Sequence, residues 1–263
     1  MSDVILFEQH GSIGTLTFNR PQVFNAMNDD MIIALRDLTA TLLNSTTLRA
    51  LIVKGAGKAF LAGGDVAMFY ARKEDPTLPT TVKPLGDALH AGIINIRNLP
   101  FPVIAQIHGA VAGAGLSVAL ACDFAVAAEG TQFNTAYSKI GLSPDGGSTF
   151  FLPRIVGMRK AAELIMLAEA IDANKAQDLG LVNRVVAADK LDEAVMQLAA
   201  RLAGGATQAY ARAKRLLNQS FETPIKQHLD DEIAFFAECA KTDDFKEGVS
   251  AFVEKRAPKF TGK

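Results

Sequence analysis

The stretch PVIAQIHGAVAGAGLSVALACDF, residues 102–124, decides the fold. Its first part, residues 102–109, is a near-continuous apolar run, which is typical of a strand buried on both faces. Residues 113–121 carry small side chains and predict a closely packed helix, and residues 123–128 predict a further strand. Strand, helix and strand in this order predict parallel pairing, so we expect an α/β fold.

The same alternation continues on both sides of this stretch. Strands are predicted at residues 4–7, 15–19 and 50–54, and Asn28 is predicted to cap a helix that runs to about Leu43. A helix is predicted at residues 85–97, preceded by a mobile loop at 75–84 because three prolines lie there. From residue 189 onward the pattern is helical. We therefore expect a core of residues 1–188 followed by a helical C-terminal region of residues 189–263.

Composition excludes several classes of protein. The 263 residues are 49% hydrophobic and 21% charged, and the formal net charge of −1 argues against a basic nucleic-acid binder. The longest apolar run, residues 109–122, is shorter than the ~20 residues that span a bilayer. The amino terminus has an acid at position 3 and no basic region, unlike a secretory signal. With only Cys122 and Cys239, the chain fits a reducing compartment, so we expect a cytoplasmic protein without nucleic-acid or membrane partners.

Familiar nucleotide, nucleophile and metal motifs are absent from the sequence. In GAGKAF, residues 55–60, no Ser or Thr follows the lysine as a P-loop requires, and Val118 replaces the third glycine of a dinucleotide fingerprint. Ser117 lacks the flanking glycines of a nucleophile elbow. The four histidines show no metal-ligand spacing, so no metal site is expected.

Two glycine-rich turns each follow a predicted buried strand, one within residues 55–65 and one just before the helix at 113–121. Small residues let a ligand approach the main chain, and the first N–H groups of a helix have no intrahelical partner. Two converging N–H groups would make an oxyanion hole. Alternatively, both turns simply let helices pack closely on the sheet, and spacing does not decide between these interpretations.

A single acid, Asp145, stands in LSPDGGSTF, residues 142–150. A proline before it and two glycines after it are typical of a turn, and Asp is also a favoured helix N-cap. Whether the carboxylate does chemistry depends on the rest of the chain.

Taken together, the motifs resemble the enoyl-CoA hydratase/isomerase, or crotonase, superfamily. The likeness covers nearly the whole chain, and the family resemblance implies a spiral of ββα turns with a helical C-terminal trimerisation region, assembled as a homotrimer or hexamer. The matching stretches are NRPQVFNAMN (19–28), GKAFLAGGDV (57–66), residues 102–124, SKIGLSPDGGSTFFLPRIVG (138–157), AQDLGLVNRVV (176–186) and FVEKRAPKF (252–260).

The resemblance also implies a substrate and a set of binding residues. Family members bind acyl-CoA thioesters, so coenzyme A is part of the substrate and no separate cofactor is expected. The N–H groups that hold the thioester oxygen fall on Gly64 and Ala114. The expected substrate-binding residues are Val23, Phe24 and Ala26 on one wall, Ala62, Gly63, Asp65 and Val66 in the adenine-contacting segment, Tyr137, and Lys255 and Phe260 from a neighbouring subunit.

The carboxylates of the family separate its activities. Hydratases use two glutamates, whose positions align here with Ser117 and Tyr137, and neither residue is an acid/base near neutral pH. Asp145 aligns with the single acid of a set of isomerases, where one carboxylate moves a proton from C2 to C4. The resemblance therefore favours a Δ3-Δ2-enoyl-CoA isomerase.

Three alternatives remain open at this point. One is hydratase-like activity. Another is 4-chlorobenzoyl-CoA dehalogenase-like chemistry, in which Asp145 would attack an aromatic ring. The dehalogenases carry a histidine at the place of His90, which matches. They carry a tryptophan at the place of Tyr137, which is a partial match, and a phenylalanine at the place of Gly64, which does not match. His90 is otherwise a surface or core histidine of a helix. The third is a catalytically degenerate acyl-CoA binding protein.

Overall fold

The computed structural model describes residues 4–263. Residues 1–3, on which the expectation about a secretory signal partly rests, lie outside the described residues. The strands are β1 (Ile5–His10), β2 (Ile13–Phe18), β3 (Ala50–Gly55), β4 (Val103–Ile107), β5 (Ala110–Ala112), β6 (Phe124–Ala128), β7 (Gln132–Asn134), β8 (Ile171–Asp172) and β9 (Arg184–Val186). The predicted strands at 4–7, 15–19, 50–54, 102–109 and 123–128 correspond to β1, β2, β3, β4 and β6.

The helices connect and cover these strands. They are α1 (Asp29–Leu42), α2 (Val66–Ala71), α3 (Leu78–Asn98), α4 (Ala114–Ala121), α5 (Ser148–Val156), α6 (Met158–Leu167), α7 (Ala173–Asp178), α8 (Leu191–Ala203), α9 (Thr207–Gln219), α10 (Ile225–Cys239) and α11 (Asp243–Val253). Asn28 caps α1 as predicted, because its side-chain oxygen accepts a hydrogen bond from the Met31 N–H at 3.2 Å. Within the described residues, no helix combines the length and the apolar character needed to cross a membrane.

The larger sheet has six strands in the order β1-β2-β3-β4-β6-β9. Only the β1–β2 hairpin is antiparallel, and every other pairing in this sheet is parallel, as the strand–helix–strand order predicted. A smaller sheet has the order β5-β7-β8. Because β5 directly follows β4, the chain passes from the large sheet to the small one at the second glycine-rich turn.

Alternate residues of the central strands face two different helical layers. Leu51 and Val53 of β3 pack with α1, α3 and α4, whereas Ala50 and Ile52 pack with α8 on the other face. This division follows from the two-residue period of a strand. Every residue of α4 is buried, which explains its small side chains.

The C-terminal region is helical from α8 onward. The first of its helices, α8, closes one face of the sheet, so it packs as part of the core as well as opening the helical region. The next helix, α9, is tied to the core by Lys214, whose ammonium lies 2.8 Å from the Asp123 carboxylate and donates to the Ile96 carbonyl at 3.0 Å. The helix α10 has no buried residue in the single chain. The proposed boundary at residue 188 stays a prediction.

The prediction of a mobile loop at residues 75–84 is wrong for most of its length, because α3 already begins at Leu78. Pro79 lies in the first turn, where a missing N–H costs no helical hydrogen bond. Pro84 lies inside the helix and removes only one bond. Before the helix, the Asp75 carboxylate accepts hydrogen bonds from the Thr77 N–H at 2.8 Å and hydroxyl at 2.6 Å, which holds the turn.

Candidate active site

The two glycine-rich turns contact each other at the carboxyl ends of β3 and β4. The N–H of Ala112 donates to the Leu61 carbonyl at 3.1 Å, which fixes one turn to the other. A Cβ atom added to Gly63 would lie 2.9 Å from the Ala112 carbonyl oxygen and 3.5 Å from the Cα of Gly113, and Gly63 itself has a φ of +95°. Larger residues would therefore separate the turns, so glycine is needed for this close approach.

Gly64 and Ala114, the predicted oxyanion donors, follow these two contact points directly. Among residues 4–263, no hydrogen-bond acceptor is found for either N–H group. Ala114 is the first residue of α4, and its N–H is unpaired because a helix leaves its first N–H groups without partners. The preceding Gly113 N–H is already used, donating to the Asn134 carbonyl at 3.1 Å. The site thus offers two free main-chain donors, beside a helix N-terminus that favours negative charge.

The wall formed by Val23, Phe24 and Ala26 is joined to the segment Ala62–Val66. The Ala62 N–H donates to the Phe24 carbonyl at 3.1 Å, and the Met27 N–H donates to the Gly63 carbonyl at 2.7 Å. Val23, Phe24 and Val66 are at least one-third exposed although they are apolar. The structure therefore brings all seven predicted wall residues together, with an accessible apolar surface.

Two residues that the sequence reasoning missed hold this wall in place. Asn25 is fully buried in a left-handed conformation with a φ of +61°, and its amide donates to the carbonyls of Ala59 at 2.8 Å and Ala56 at 2.9 Å. Arg20 binds Asp65 at 3.1 Å and donates to the Ala26 carbonyl. The one signal in the sequence is the residue type, since Asn tolerates left-handed backbone better than most residues, but its acceptors are too distant in sequence to be predicted.

Asp145 lies in an exposed turn before α5, in which Gly146 and Gly147 have φ values of +62° and +91°. The prediction that Asp145 also caps α5 is wrong. The N-cap residue of α5 is Gly147, and no side chain caps it. The carboxylate is instead bound by Tyr137, whose hydroxyl donates to Oδ1 of Asp145 at 2.6 Å.

Ser117 and Tyr137 connect this carboxylate to the glycine turns. The buried Ser117 hydroxyl donates to the main-chain carbonyl of Asp145 at 3.1 Å, and a Cβ added to Gly146 would lie 3.0 Å from the Ser117 Cβ. A Cβ added to Gly113 would lie 3.8 Å from the Tyr137 Cζ. Burial raises the pKa of Tyr137 above its ordinary value, and the Asp145 charge raises it further. Tyr137 is therefore a neutral hydrogen-bond donor at physiological pH.

His90 of α3 also reaches the site. Its Nε2 accepts a hydrogen bond from the Gly146 N–H at 3.4 Å, next to Asp145. Through this contact His90 supports the turn rather than only occupying a helix surface.

Lys255 and Phe260 do not join the site within one chain. The Phe260 carbonyl accepts from Arg49 at 3.1 Å, just before the amino end of β3, whereas the glycine turn follows the carboxyl end of that strand. The six residues of β3 place these ends about 17 Å apart, since the rise is ~3.3 Å per residue. The Phe260 ring packs on Gly248 of α11, and Lys255 is exposed. Their contribution to a neighbouring subunit's site stays a prediction.

Comparisons with known proteins agree with this architecture. A crystal structure of an enoyl-CoA hydratase from Polaromonas sp. JS666 superposes with a TM-score of 0.92 at 35% identity, covering 98% of this chain and 99% of that one. The family model described as Enoyl-CoA hydratase/isomerase matches residues 8–263. The fold is thus the crotonase-like ββα spiral with a helical C-terminal region, and the chain belongs to the enoyl-CoA hydratase/isomerase family.

The relatives carry names of both activities. A trans-2-decenoyl-[acyl-carrier-protein] isomerase from Streptococcus mutans is 34% identical, with 98% of each chain covered. A 1,2-epoxyphenylacetyl-CoA isomerase from Escherichia coli is 35% identical over the full length of both chains. Other relatives at 32 to 36% identity are named as enoyl-CoA or crotonyl-CoA hydratases. The protein is therefore an enzyme of this family, and the names alone do not separate isomerase from hydratase.

Proposed function

We propose that the enzyme is a Δ3-Δ2-enoyl-CoA isomerase that uses Asp145 as its only catalytic carboxylate. The observation that carries the proposal is the contact of Asp145 with Ser117 and Tyr137, the two positions where hydratases of the family carry glutamates. A hydroxyl and a phenol replace the two acids that would activate water. One carboxylate is sufficient for moving a proton along an acyl chain.

The reaction would proceed through an enolate. A free oxygen of Asp145 removes the proton from C2, and the negative charge that develops on the thioester oxygen is held by the N–H groups of Gly64 and Ala114. Asp145 then returns the proton to C4, and the double bond moves into conjugation with the thioester. The free donors beside the α4 N-terminus support this role.

The substrate is proposed to be an acyl-CoA thioester, with coenzyme A as part of the substrate and no separate cofactor. Its adenine end would lie between the wall of Val23, Phe24 and Ala26 and the segment Ala62–Val66. The accessible apolar side chains of this wall support the placement, because an adenine ring binds well against apolar surface.

We also propose that the chain assembles as a trimer or hexamer through the C-terminal helices. In the single chain, Leu229, Ile233 and Phe236 of α10 are 53%, 64% and 68% exposed. A row of large apolar side chains on one helix is typical of a surface that a partner covers.

The decisive experiment compares Asp145→Asn with the wild type. Asn keeps the size of the side chain and its Oδ1 can still accept from Tyr137, but it cannot take up a C2 proton. We expect isomerisation of 3-enoyl-CoA to fall by ~10² or more, the usual scale for a general base, with melting temperature and CoA affinity nearly unchanged. Exchange of C2 protons with deuterated water should stop as well. Retained turnover in this variant would contradict the proposal.

A turnover panel separates the remaining candidates. Faster hydration of 2-enoyl-CoA than isomerisation of 3-enoyl-CoA would make the enzyme a hydratase. Turnover of 4-chlorobenzoyl-CoA would favour the dehalogenase-like reaction, for which the contact of His90 with the Asp145 turn is the supporting observation. Thermal stabilisation by CoA esters without turnover of any of them would indicate a binding protein.

A further inference from the structure

The hydrogen bond between Tyr137 and Asp145 joins two side chains of very different exposure. The Tyr137 side chain is only 9% exposed, whereas Asp145 lies in an exposed turn. An exposed aspartate ordinarily samples several side-chain rotamers, since water satisfies its oxygens in each of them. Because the Tyr137 ring is buried and fixed, its hydrogen bond holds Oδ1 of Asp145 in one position.

The hydroxyl has one proton to donate, and the distances indicate where it goes. Oη of Tyr137 lies 2.6 Å from Oδ1 of Asp145 and 3.4 Å from the Asp145 carbonyl oxygen. The shorter distance is that of a charge-assisted hydrogen bond to an ionised carboxylate. The carbonyl is already bound by the Ser117 hydroxyl at 3.1 Å, so Tyr137 is free to bind the carboxylate.

The main chain on either side of the carboxylate is also held. Ser117 binds the Asp145 carbonyl, and His90 accepts from the following N–H of Gly146. A turn with two left-handed glycines would otherwise be a flexible support for a catalytic group. Main chain and one carboxylate oxygen are thus fixed, and Oδ2 is the oxygen left to take up a proton.

We infer that Tyr137 is a positioning residue for the isomerase reaction, holding Oδ1 of Asp145 so that Oδ2 alone faces the acyl chain. The inference rests on the proposed function. A 1,3 proton transfer requires one oxygen to reach both C2 and C4. With Oδ1 held, the carboxylate can pivot about its hydrogen bond and serve both carbons on the same face of the chain.

The test is Tyr137→Phe, which removes a single hydroxyl and keeps the ring that fills the buried site. We expect kcat for 3-enoyl-CoA to fall about 10- to 100-fold, the fold-change that corresponds to a hydrogen bond to a charged group, with KM nearly unchanged. We also expect the fraction of product that carries solvent deuterium at C4 to rise, because a loosened carboxylate loses the captured proton to water. A residue that served only folding would change neither this fraction nor the split between kcat and KM.

The matched control is Tyr210→Phe, which removes the same atom from the exposed tyrosine of α9 and should leave kcat, KM and the deuterium fraction unchanged. A double-mutant cycle with Asp145→Asn adds a second measurement, since Tyr137→Phe should have little further effect once the base is gone. If Tyr137→Phe alone is less stable, the coupling between Tyr137 and Asp145 in kcat is measured at a lower temperature. At that temperature the wild type, both single variants and the double variant are all folded.

Two outcomes overturn the inference. If Tyr137→Phe turns over like Tyr210→Phe, the hydroxyl does not position the base. If Tyr137→Phe is faster than the wild type, the hydrogen bond only weakens the base. If either result is found and Asp145→Asn is inactive, the inference about Tyr137 is wrong and the proposed function still holds. If Asp145→Asn is active, the proposed function itself is wrong.

Discussion

Ala114 offers a test of the oxyanion hole in which folding and chemistry are separable. A substitution to proline deletes the N–H that would hold the enolate oxygen. Ala114 is the first residue of α4, which is the one helical position where proline is favoured, because its N–H has no intrahelical acceptor. The hydrogen bonds that fix the start of α4 use the Gly113 carbonyl, which accepts from Leu116 at 3.0 Å and from Ser117 at 3.2 Å. None of them involves the Ala114 N–H.

The magnitude follows from these contacts. No hydrogen bond of the fold is lost in Ala114→Pro, but the ring carbons are added at a buried position, so we expect the free energy of unfolding to fall by about 1–3 kcal/mol. Gly113 has a φ of +50° and a ψ of −123°, an extended mirror-image conformation that a glycine can keep before proline. Removing one oxyanion donor typically costs ~3–4 kcal/mol of barrier, so turnover of 3-enoyl-CoA should fall by ~10²–10³.

The assay is initial-rate isomerisation alongside a melting curve, with Ala114→Gly as the matched control. The glycine variant keeps the N–H and removes only the Cβ, so its kcat should stay within a few-fold of the wild type. If Ala114→Pro is folded at the assay temperature and its turnover stays within a few-fold of the wild type, the Ala114 N–H is not part of the hole. If Ala114→Gly is as slow as Ala114→Pro, the loss comes from the backbone of the turn rather than from the donor.

Two further predictions concern stability and assembly. Lys214→Met removes the ammonium that lies 2.8 Å from the mostly buried Asp123 carboxylate, and should cost about 3 kcal/mol, or roughly 6 to 12 °C in melting temperature. Lys83→Met, which breaks an exposed ion pair, should change the melting temperature little, and equal effects of the two variants would contradict the reasoning. Sedimentation at micromolar concentration should give the mass of a trimer or hexamer, and Phe236→Asp on α10 should shift it towards the monomer. A stable wild-type monomer would rule the assembly out.

Much of the fold was predictable because its central strands are continuous apolar runs in the sequence. A strand buried between two helical layers has apolar residues on both faces, so β3, β4 and β6 appear as continuous apolar runs. The error at residues 75–84 arose because proline was taken as a break. Pro79 lies in the first turn of α3, and Pro84 loses only one hydrogen bond, which the packing of the helix on α1 outweighs.

The candidate site was predictable in part, from the glycine turns and from the family resemblance. Spacing suggested two sets of main-chain donors, but it left open whether the turns bind an anion or only pack closely. The contact between Gly63 and Gly113 shows that the turns pack closely. In the part of the chain that the structure describes, no acceptor is found for the N–H groups of Gly64 and Ala114 beside that contact. Close packing is therefore observed, whereas anion binding by these turns stays a prediction. Asn25, which joins the first turn to the wall, was missed because its role depends on acceptors more than 30 residues away.

The partners of Asp145 could not be derived from sequence, since they come from three separate elements. Ser117 lies in α4, Tyr137 in a turn after β7, and His90 in α3, and only the packing of these elements brings them to one loop. The family resemblance implies that Ser117 and Tyr137 stand where hydratases carry their two acids, which argues against water activation. The structure adds that the replacing side chains bind Asp145 itself: one through its main chain and one through its carboxylate. These contacts support the proposed function, because a reaction that depends on a single base requires that base to be held in place.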